Sequence, residues 1–341
     1  MTDISLLLAT GNDLVILERR AQRAWNTRVL LADRGAQCVA VDPTNPRRMY
    51  AGTFDNGLHR SLDGGQTWVD VSEGIASARV MSVAFAPARS VDGTSAVYAG
   101  TEPSAIYRSE DDGATWTTFP ALLDVPSQPS WSFPPRPWTS HVRWMAAHPV
   151  HPDILYAGIE LGGVMITRDG GESWEDRKPG SYHDCHALAT HALAPERVYE
   201  AAGGGVAWSH DAGMTWQPAD EGLRHRYVWA LAVEPDDPDC WYVSAADGAG
   251  SAHRNRGDAG AGIYRKLGTA PWELICGGET GLPESLPHMP YALAAAPAPH
   301  GVLFAGFQNG EVRESSDRGT RWRRLDIDEE HPIQQAVVLQ V

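Results

Sequence analysis

Lysine is nearly missing from this chain: of 28 basic residues only Lys178 and Lys266 are lysines. Schiff-base chemistry needs a lysine amine, so it has few candidates here. Positive charge is scarce as well, with a formal net charge of −15. Phosphate backbones and anionic membrane surfaces bind through cationic neutralisation, so neither nucleic acid nor membrane is expected as a partner. The four cysteines, Cys38, Cys185, Cys240 and Cys276, form no C-x-x-C pair. They are expected to be reduced and buried, behaving as small hydrophobes. No apolar run approaches the roughly 18 residues of a membrane span. The Met1-Thr2-Asp3-Ile4 start puts an acid where an export signal carries bases, which points to a cytoplasmic protein.

Against these absences stands a repeat. One octapeptide occurs as Ser61-Leu-Asp-Gly-Gly-Gln-Thr-Trp68, Ser109-Glu-Asp-Asp-Gly-Ala-Thr-Trp116 and Thr167-Arg-Asp-Gly-Gly-Glu-Ser-Trp174. It returns as Ser209-His-Asp-Ala-Gly-Met-Thr-Trp216 and Ser315-Ser-Asp-Arg-Gly-Thr-Arg-Trp322. Hydroxyl and carboxylate oxygens that accept turn amides, with glycine at the φ > 0 position, are the ingredients of a tight turn. The closing tryptophan anchors that turn to a core. Around each copy the text repeats too, as in Val39-Ala-Val-Asp-Pro43 with Met49-Tyr-Ala-Gly-Thr53 and Val83-Ala-Phe-Ala-Pro87 with Val97-Tyr-Ala-Gly-Thr101. These are short β-rich runs punctuated by Pro and Gly. Adding Trp272, which ends a degenerate copy, and Trp25, the closing tryptophans are spaced by 43, 48, 58, 42, 56 and 50 residues. Each interval suits one four-stranded antiparallel blade.

The octapeptide resembles the Asp-box, the BNR-type motif of sialidases, xyloglucanase-type endo-glucanases, sortilin-type receptors and photosystem assembly factors. The resemblance implies an all-β, seven-bladed β-propeller spanning residues 1–341. The first unit lacks an innermost strand and the lone segment 333–341 supplies one, so the ring is expected to close by pairing the C-terminal strand into the N-terminal blade. The resemblance also places the boxes on the lower outer rim, so that Asp63, Asp111, Asp169, Asp211 and Asp317 are structural. The Arg-Ile-Pro motif that opens sialidase chains is absent, which counts against that activity.

Function in such rings lives on loops. Aligning the units puts Gln37, Met81, Arg143, His186, Trp229, Tyr291 and Gln335 at one position, whose residue type varies as a packing position would not. Just before it come His141, His183 with Asp184, His225, Arg226 and Tyr227, and His288, while the loops between second and third strands add Asp55, Glu102, Glu160 and Gln308. Two insertions adjoin this face. The aromatic one, 122–140, contains Trp131, Phe133 and Trp138 and is read as an extended pocket wall. The glycine-rich one, 245–262, carries Asp247, His253, Arg254, Arg256 and Asp258 and is read as a mobile lid.

The expected function is a small-molecule or carbohydrate-binding propeller with a central top-face pocket and glycosidase-like hydrolysis. Glycoside hydrolysis needs two carboxyls, and Glu102 with Glu160 or Asp184 is the candidate set, with His186 beside it. His141, Arg143, His183, His225, Arg226, Tyr227, Trp229, Arg254, His288, Tyr291 and Trp138 are the candidate binding residues. Histidine-assisted lyase or lactonase chemistry is the alternative, with His141, His183, His186, His225 and His288 as bases. A non-catalytic scaffold with a protein partner is the third reading. No cofactor is expected, a metal ion on those histidines being the weaker alternative.

Overall fold

The chain builds seven antiparallel sheets arranged as a β-propeller, described here from a computed structural model for residues 3–20, 24–89, 93–254, 256–297, 300–327 and 331–340. Blade 1 runs Gln335–Gln340, Ile4–Ala9, Leu14–Arg19 and Asn26–Val29 from the channel outwards. The innermost strands of blades 2 to 7 are Ala36–Asp42, Val80–Ala86, Val142–Ala147, Cys185–His191, Tyr227–Glu234 and Pro290–Ala295. Six blades have four strands. In blade 4 the fourth shrinks to a single bridge between Ile166 and Glu175. Ring closure follows the expected pattern: Gln335–Gln340 pairs antiparallel with Ile4–Ala9 over six residues, Val341 lying outside the described residues.

Second strands are buried on both faces because each blade is sandwiched between two others. Ile4–Ala9, Ala96–Thr101 and Leu155–Ile159 have no exposed residue. The Tyr-Ala-Gly repeat is explained by that sandwich. Tyr50, Tyr98 and Tyr156 fill the inter-blade core, and the glycine lets the next blade's innermost strand approach. A Cβ on Gly52 would lie 2.5 Å from Cys38 Sγ and 2.6 Å from the Val80 carbonyl. All four cysteines are free and buried, and burial pushes the Cys38 thiol up to about 12.

The octapeptide turns repeat one bonding pattern between third and fourth strands. In the first, the Ser61 hydroxyl donates to Asp63 Oδ1 (2.8 Å) and accepts the Gly65 amide (2.8 Å). Asp63 accepts the Thr67 amide (2.9 Å) and hydroxyl (2.6 Å). The Thr67 bonds hold the Asp63 carboxyl below the usual carboxylate range. The same bonds recur around Asp111, Asp169 and Asp211. Tryptophans knit blades together: Trp116 Nε1 donates to Val71 O of the preceding blade at 2.9 Å, and Trp272 Nε1 to Ala219 O at 2.7 Å. Strands alternate in direction, so these turns lie at the end of the blades opposite the loops carrying Glu102 and Glu160.

Candidate functional site

In blades 2 to 7 the pairing of innermost and second strands slips at one equivalent place: at Gln37, Met81, Arg143, His186, Trp229 with Ala230, and Tyr291. A bulge of this kind leaves its extra residue out of the ladder and re-aims the side chain. Gln37, Met81, Arg143, Trp229 and Tyr291 accordingly line a top-face cavity of about 490 Å³. The bulge explains why this position varies while its neighbours two residues on are uniformly apolar. In blade 1 the position belongs to Gln334, which lines the cavity. Gln335, expected there from the alignment, instead pairs with Ala9 and accepts the Val39 amide at 2.8 Å. The alignment is one residue out because the closing strand has no preceding unit to fix its phase.

Of the other candidates, the cavity wall includes His141, Glu160, Asp184 and Tyr227. Glu160 and His141 are both buried; His141 Nε2 is 3.0 Å from Glu160 Oε2, with Arg143 Nε 3.7 Å from the same oxygen. Burial alone would raise the Glu160 carboxyl, but the His141 hydrogen bond, with Arg143 nearby, outweighs it and holds the carboxyl low. Asp184 receives the Leu161 amide on Oδ1 (3.3 Å) and presents Oδ2 to His186 Nε2 at 3.4 Å. His186 is fully buried behind the wall, its ring 4.5 Å from that of Trp229 and 4.9 Å from that of Tyr227. Arg143 stacks over Trp229 at 4.7 Å.

Glu102 is placed differently from its sequence equivalent Glu160. It is only 1% exposed and lies outside the cavity wall, because Arg136 of the aromatic insertion grips it through Nε (2.5 Å) and Nη2 (2.7 Å) while Arg79 adds a third contact at 3.2 Å. Burial would raise this carboxyl; Arg136, His141 and Arg79 outweigh it and hold it low. Glu102 thereby anchors the insertion instead of meeting a ligand. Replacing Arg136 by Ala leaves this buried carboxylate with Arg79 and a distant imidazole, and is expected to cost about 3 kcal/mol of stability. A urea-melt midpoint equal to wild type would contradict that anchoring role.

The insertion itself departs from the extended form expected of it. Short 3-10 turns form at Pro120–Asp124 and Gln128–Ser130, since proline fits the first turn of a helix as well as it fits an extended strand. Trp131 is buried and donates to Ser127 Oγ (3.0 Å), and Phe133 packs edge-on against His141 at 4.6 Å. Trp138 stands 80% exposed, outside the wall.

The glycine-rich insertion folds into a short helix, Ala249–His253, and seats in the blade 6–7 core through Ala252, Ala259 and Ala261. It delivers His253 to the cavity, the residue that sequence reading passed over in favour of its neighbour Arg254. His253 Nε2 is 2.8 Å from Tyr227 OH and Nδ1 is 2.9 Å from Tyr291 OH. His253 keeps an exposed edge at the cavity mouth, and desolvation of its ring, with His186 nearby, lowers the imidazole to about 4. Arg254 is exposed and bonds the Gly250 carbonyl within its own helix. His225 bonds Tyr264 OH (2.6 Å), Arg226 pairs with Asp220 (2.5 Å), His183 is exposed, and His288 is half-buried; none of these four lines the cavity. Phe54, Phe133, Leu161 and Arg136 also line the wall. For Phe133 and Arg136 the signal was the composition of the first insertion. His253 was named only as part of the second insertion, because an insertion has no sister unit against which its residues can be aligned.

No helix among the described residues is long and apolar enough to cross a membrane. No protein-family model matches the chain, and no curated protein matches it. Among solved structures it is similar to an ancestral GH74 enzyme (15% identity, TM-score 0.64, covering 90% of this chain and 38% of that one). It is also similar to the GH74 xyloglucanase from Xanthomonas campestris (19%, TM-score 0.62, covering 85% and 45%). A third similar structure is YCF48 bound to D1 peptide (16%, TM-score 0.58, covering 85% and 81%). The chain thus spans less than half the length of those two GH74 enzymes, and at these identities the likeness shows the propeller fold alone.

Proposed function

We propose that the protein binds a small, polar, sugar-sized molecule in the top-face cavity and acts on it by tyrosine- and histidine-assisted proton transfer. The observation that carries this reading is a directed hydrogen-bond chain ending at the cavity. Gln308 Nε2 bonds the His253 carbonyl (3.0 Å), which can only accept, so the amide nitrogen faces that way and its second hydrogen goes to Tyr291 OH at 2.9 Å. Tyr291 then gives its own hydrogen to His253 Nδ1. His253, neutral at pH 7 with its pKa near 4, carries its proton on Nε2 and donates it to the Tyr227 oxygen. The Tyr227 hydrogen is left for a ligand. Burial, together with Glu160 and Asp184, raises the Tyr227 phenol, and Tyr291 is raised to about 12, so both stay protonated.

Such a chain lets Tyr227 give its proton to a ligand, the phenolate left behind being stabilised by the His253 Nε2–H. Glu160 and Asp184 in the same wall can accept ligand hydroxyls, and Trp229, Tyr291, Phe133 and Phe54 offer apolar faces. This favours the elimination or lactone-opening class over glycoside hydrolysis. Glycoside hydrolysis calls for a carboxylic acid of raised pKa. Glu160 is held low, and Glu102 is gripped by Arg136.

The test is Tyr227→Phe, assayed on lactones, uronic-acid oligomers and xyloglucan oligosaccharides. Loss of an acid costs about 10²–10⁴-fold in turnover, so a drop of that order is expected, with thermal stability within about 2 °C of wild type. Turnover unchanged in Tyr227→Phe would remove the acid role. A wild-type chain that binds none of these molecules but holds peptides on its face would replace the reading with a scaffold.

A further inference from the structure

We propose that Glu160, Asp184 and His186 hold one divalent transition-metal ion, of the Zn²⁺ or Mn²⁺ class, in the floor of the top-face cavity. The inference rests on the reading of that cavity as the functional site. One ligand atom from each of the three residues lies within 4.8 Å of the other two.

The decisive atom is His186 Nε2. His186 Nδ1 is 2.6 Å from the Val228 carbonyl, an acceptor only, so Nδ1 carries a hydrogen, and in the neutral tautomer the Nε2 lone pair faces Asp184. That nitrogen is buried and has no hydrogen-bond partner among the described residues. His141, Arg143 and the Leu161 amide serve other oxygens of these carboxylates, and no donor reaches the space between His186 Nε2 and Asp184 Oδ2, which a cation can occupy. A second proton on His186 is one such cation, but an imidazolium–carboxylate bond closes to about 2.7–2.9 Å, whereas Nε2 and Asp184 Oδ2 stand 3.4 Å apart. Two ligands on a tetrahedral ion with bonds of about 2.1 Å are separated by about 3.4 Å. The gap is wide enough for both atoms to share an ion.

The surroundings hold the ligands as metal sites do, by bonding their far sides. Val228 O fixes the His186 ring. The Leu161 amide fixes Asp184 Oδ1, with Leu161 itself at φ 49°, a left-handed conformation that leucine rarely adopts. His141 and Arg143 face one oxygen of Glu160. Gly203 leaves the room Asp184 occupies, since a Cβ there would sit 1.9 Å from Oδ2. Glu160 and Asp184 face the cavity, so a bound ion would keep a side open to water or ligand. Two carboxylates with one imidazole suit Zn²⁺ or Mn²⁺ better than Ca²⁺ or Mg²⁺, which prefer all-oxygen shells.

A second cluster, His148, His151 and Glu196, fails the same examination. His148 Nδ1 already accepts the Val150 and His151 amides (3.1 and 3.0 Å), so its Nε2 carries the hydrogen and has no lone pair to give.

The experiment takes the full chain, stripped with EDTA, and titrates it calorimetrically with ZnCl₂ and with MnCl₂. One equivalent per chain is expected, together with a rise in melting temperature that grows with metal concentration. Asp184→Asn and His186→Gln should each weaken binding at least about tenfold, in line with perturbation of a metal shell. His148→Gln should leave it unchanged. If His186→Gln fails to fold, Asp184→Asn and Gly203→Ala decide, with the Mn²⁺ EPR signal as the readout. No stoichiometric ion in wild type, or equal binding in Asp184→Asn, overturns the proposal. Metal binding needs no organic substrate, so its outcome is separable from turnover of lactones or sugars.

Discussion

A chain ending at Pro332 is expected to unfold at a much lower urea concentration than the full chain and to self-associate. Gln335–Gln340 is the innermost strand of blade 1, and its loss leaves Ile4–Ala9, buried along its whole length, without a partner on one side. Ile333, fully buried against the Gly306 backbone of blade 7, goes with it. So does the Gln335 side chain that accepts the Val39 amide of blade 2. The isoleucine alone is worth about 1.5–3 kcal/mol of burial, and the six-residue ladder comes on top of it. A loss exceeding about 3 kcal/mol is therefore expected in urea melts. The freed edge is a template for strand pairing between molecules, so light scattering should rise as well. An unchanged midpoint would mean that the ring does not depend on this closure.

The contribution of Glu200 to stability should fall as pH rises from about 5 to 8, and Glu200→Gln should remove it. Glu200 lies in the second strand of blade 5, fully buried, with the Tyr182 amide as its donor (3.0 and 3.2 Å). Burial pushes its carboxyl up to about 8. The folded state therefore keeps a proton that the unfolded chain releases near pH 4.5. The Glu200 contribution to stability is greatest below that pH, declines as pH climbs towards 8, and is flat above it. The slope is about 1.4 kcal/mol per pH unit per group, which amounts to several kcal/mol over the window. Glutamine keeps an acceptor for the Tyr182 amide and never ionises. Wild type and Glu200→Gln should match at pH 4.5, and the variant should melt several degrees higher at pH 8.5. Parallel pH profiles would show that Glu200 is ionised in the folded protein. Comparing the two chains cancels the contributions of other groups.

Much of the fold was legible because its signals are local and repeated. The octapeptide states its own turn, since Ser61, Asp63, Gly65 and Thr67 bond to one another within seven residues. The Tyr-Ala-Gly strand states its double burial. The varied position at Arg143, Trp229 and Tyr291 could be found because six sister units repeat it, although nothing in one sequence says that it is a bulge. Less legible was which candidates meet. Glu102 and Glu160 are equivalents in sequence, yet only Glu160 faces the cavity, because Arg136 arrives from an insertion that has no counterpart in other units. His253 arrives the same way.

The sequence by itself determined the number of blades, the end of the ring that varies, and the residue types available there, because these follow from periodicity and from chemistry between near neighbours. Tertiary structure alone decided that His253 joins Tyr227 to Tyr291, that His186 turns an unpartnered nitrogen towards Asp184, and that Glu102 serves as an anchor. Those outcomes depend on side chains brought together across blades and insertions, where distances of a few ångströms are set by packing and carry no trace in spacing along the chain.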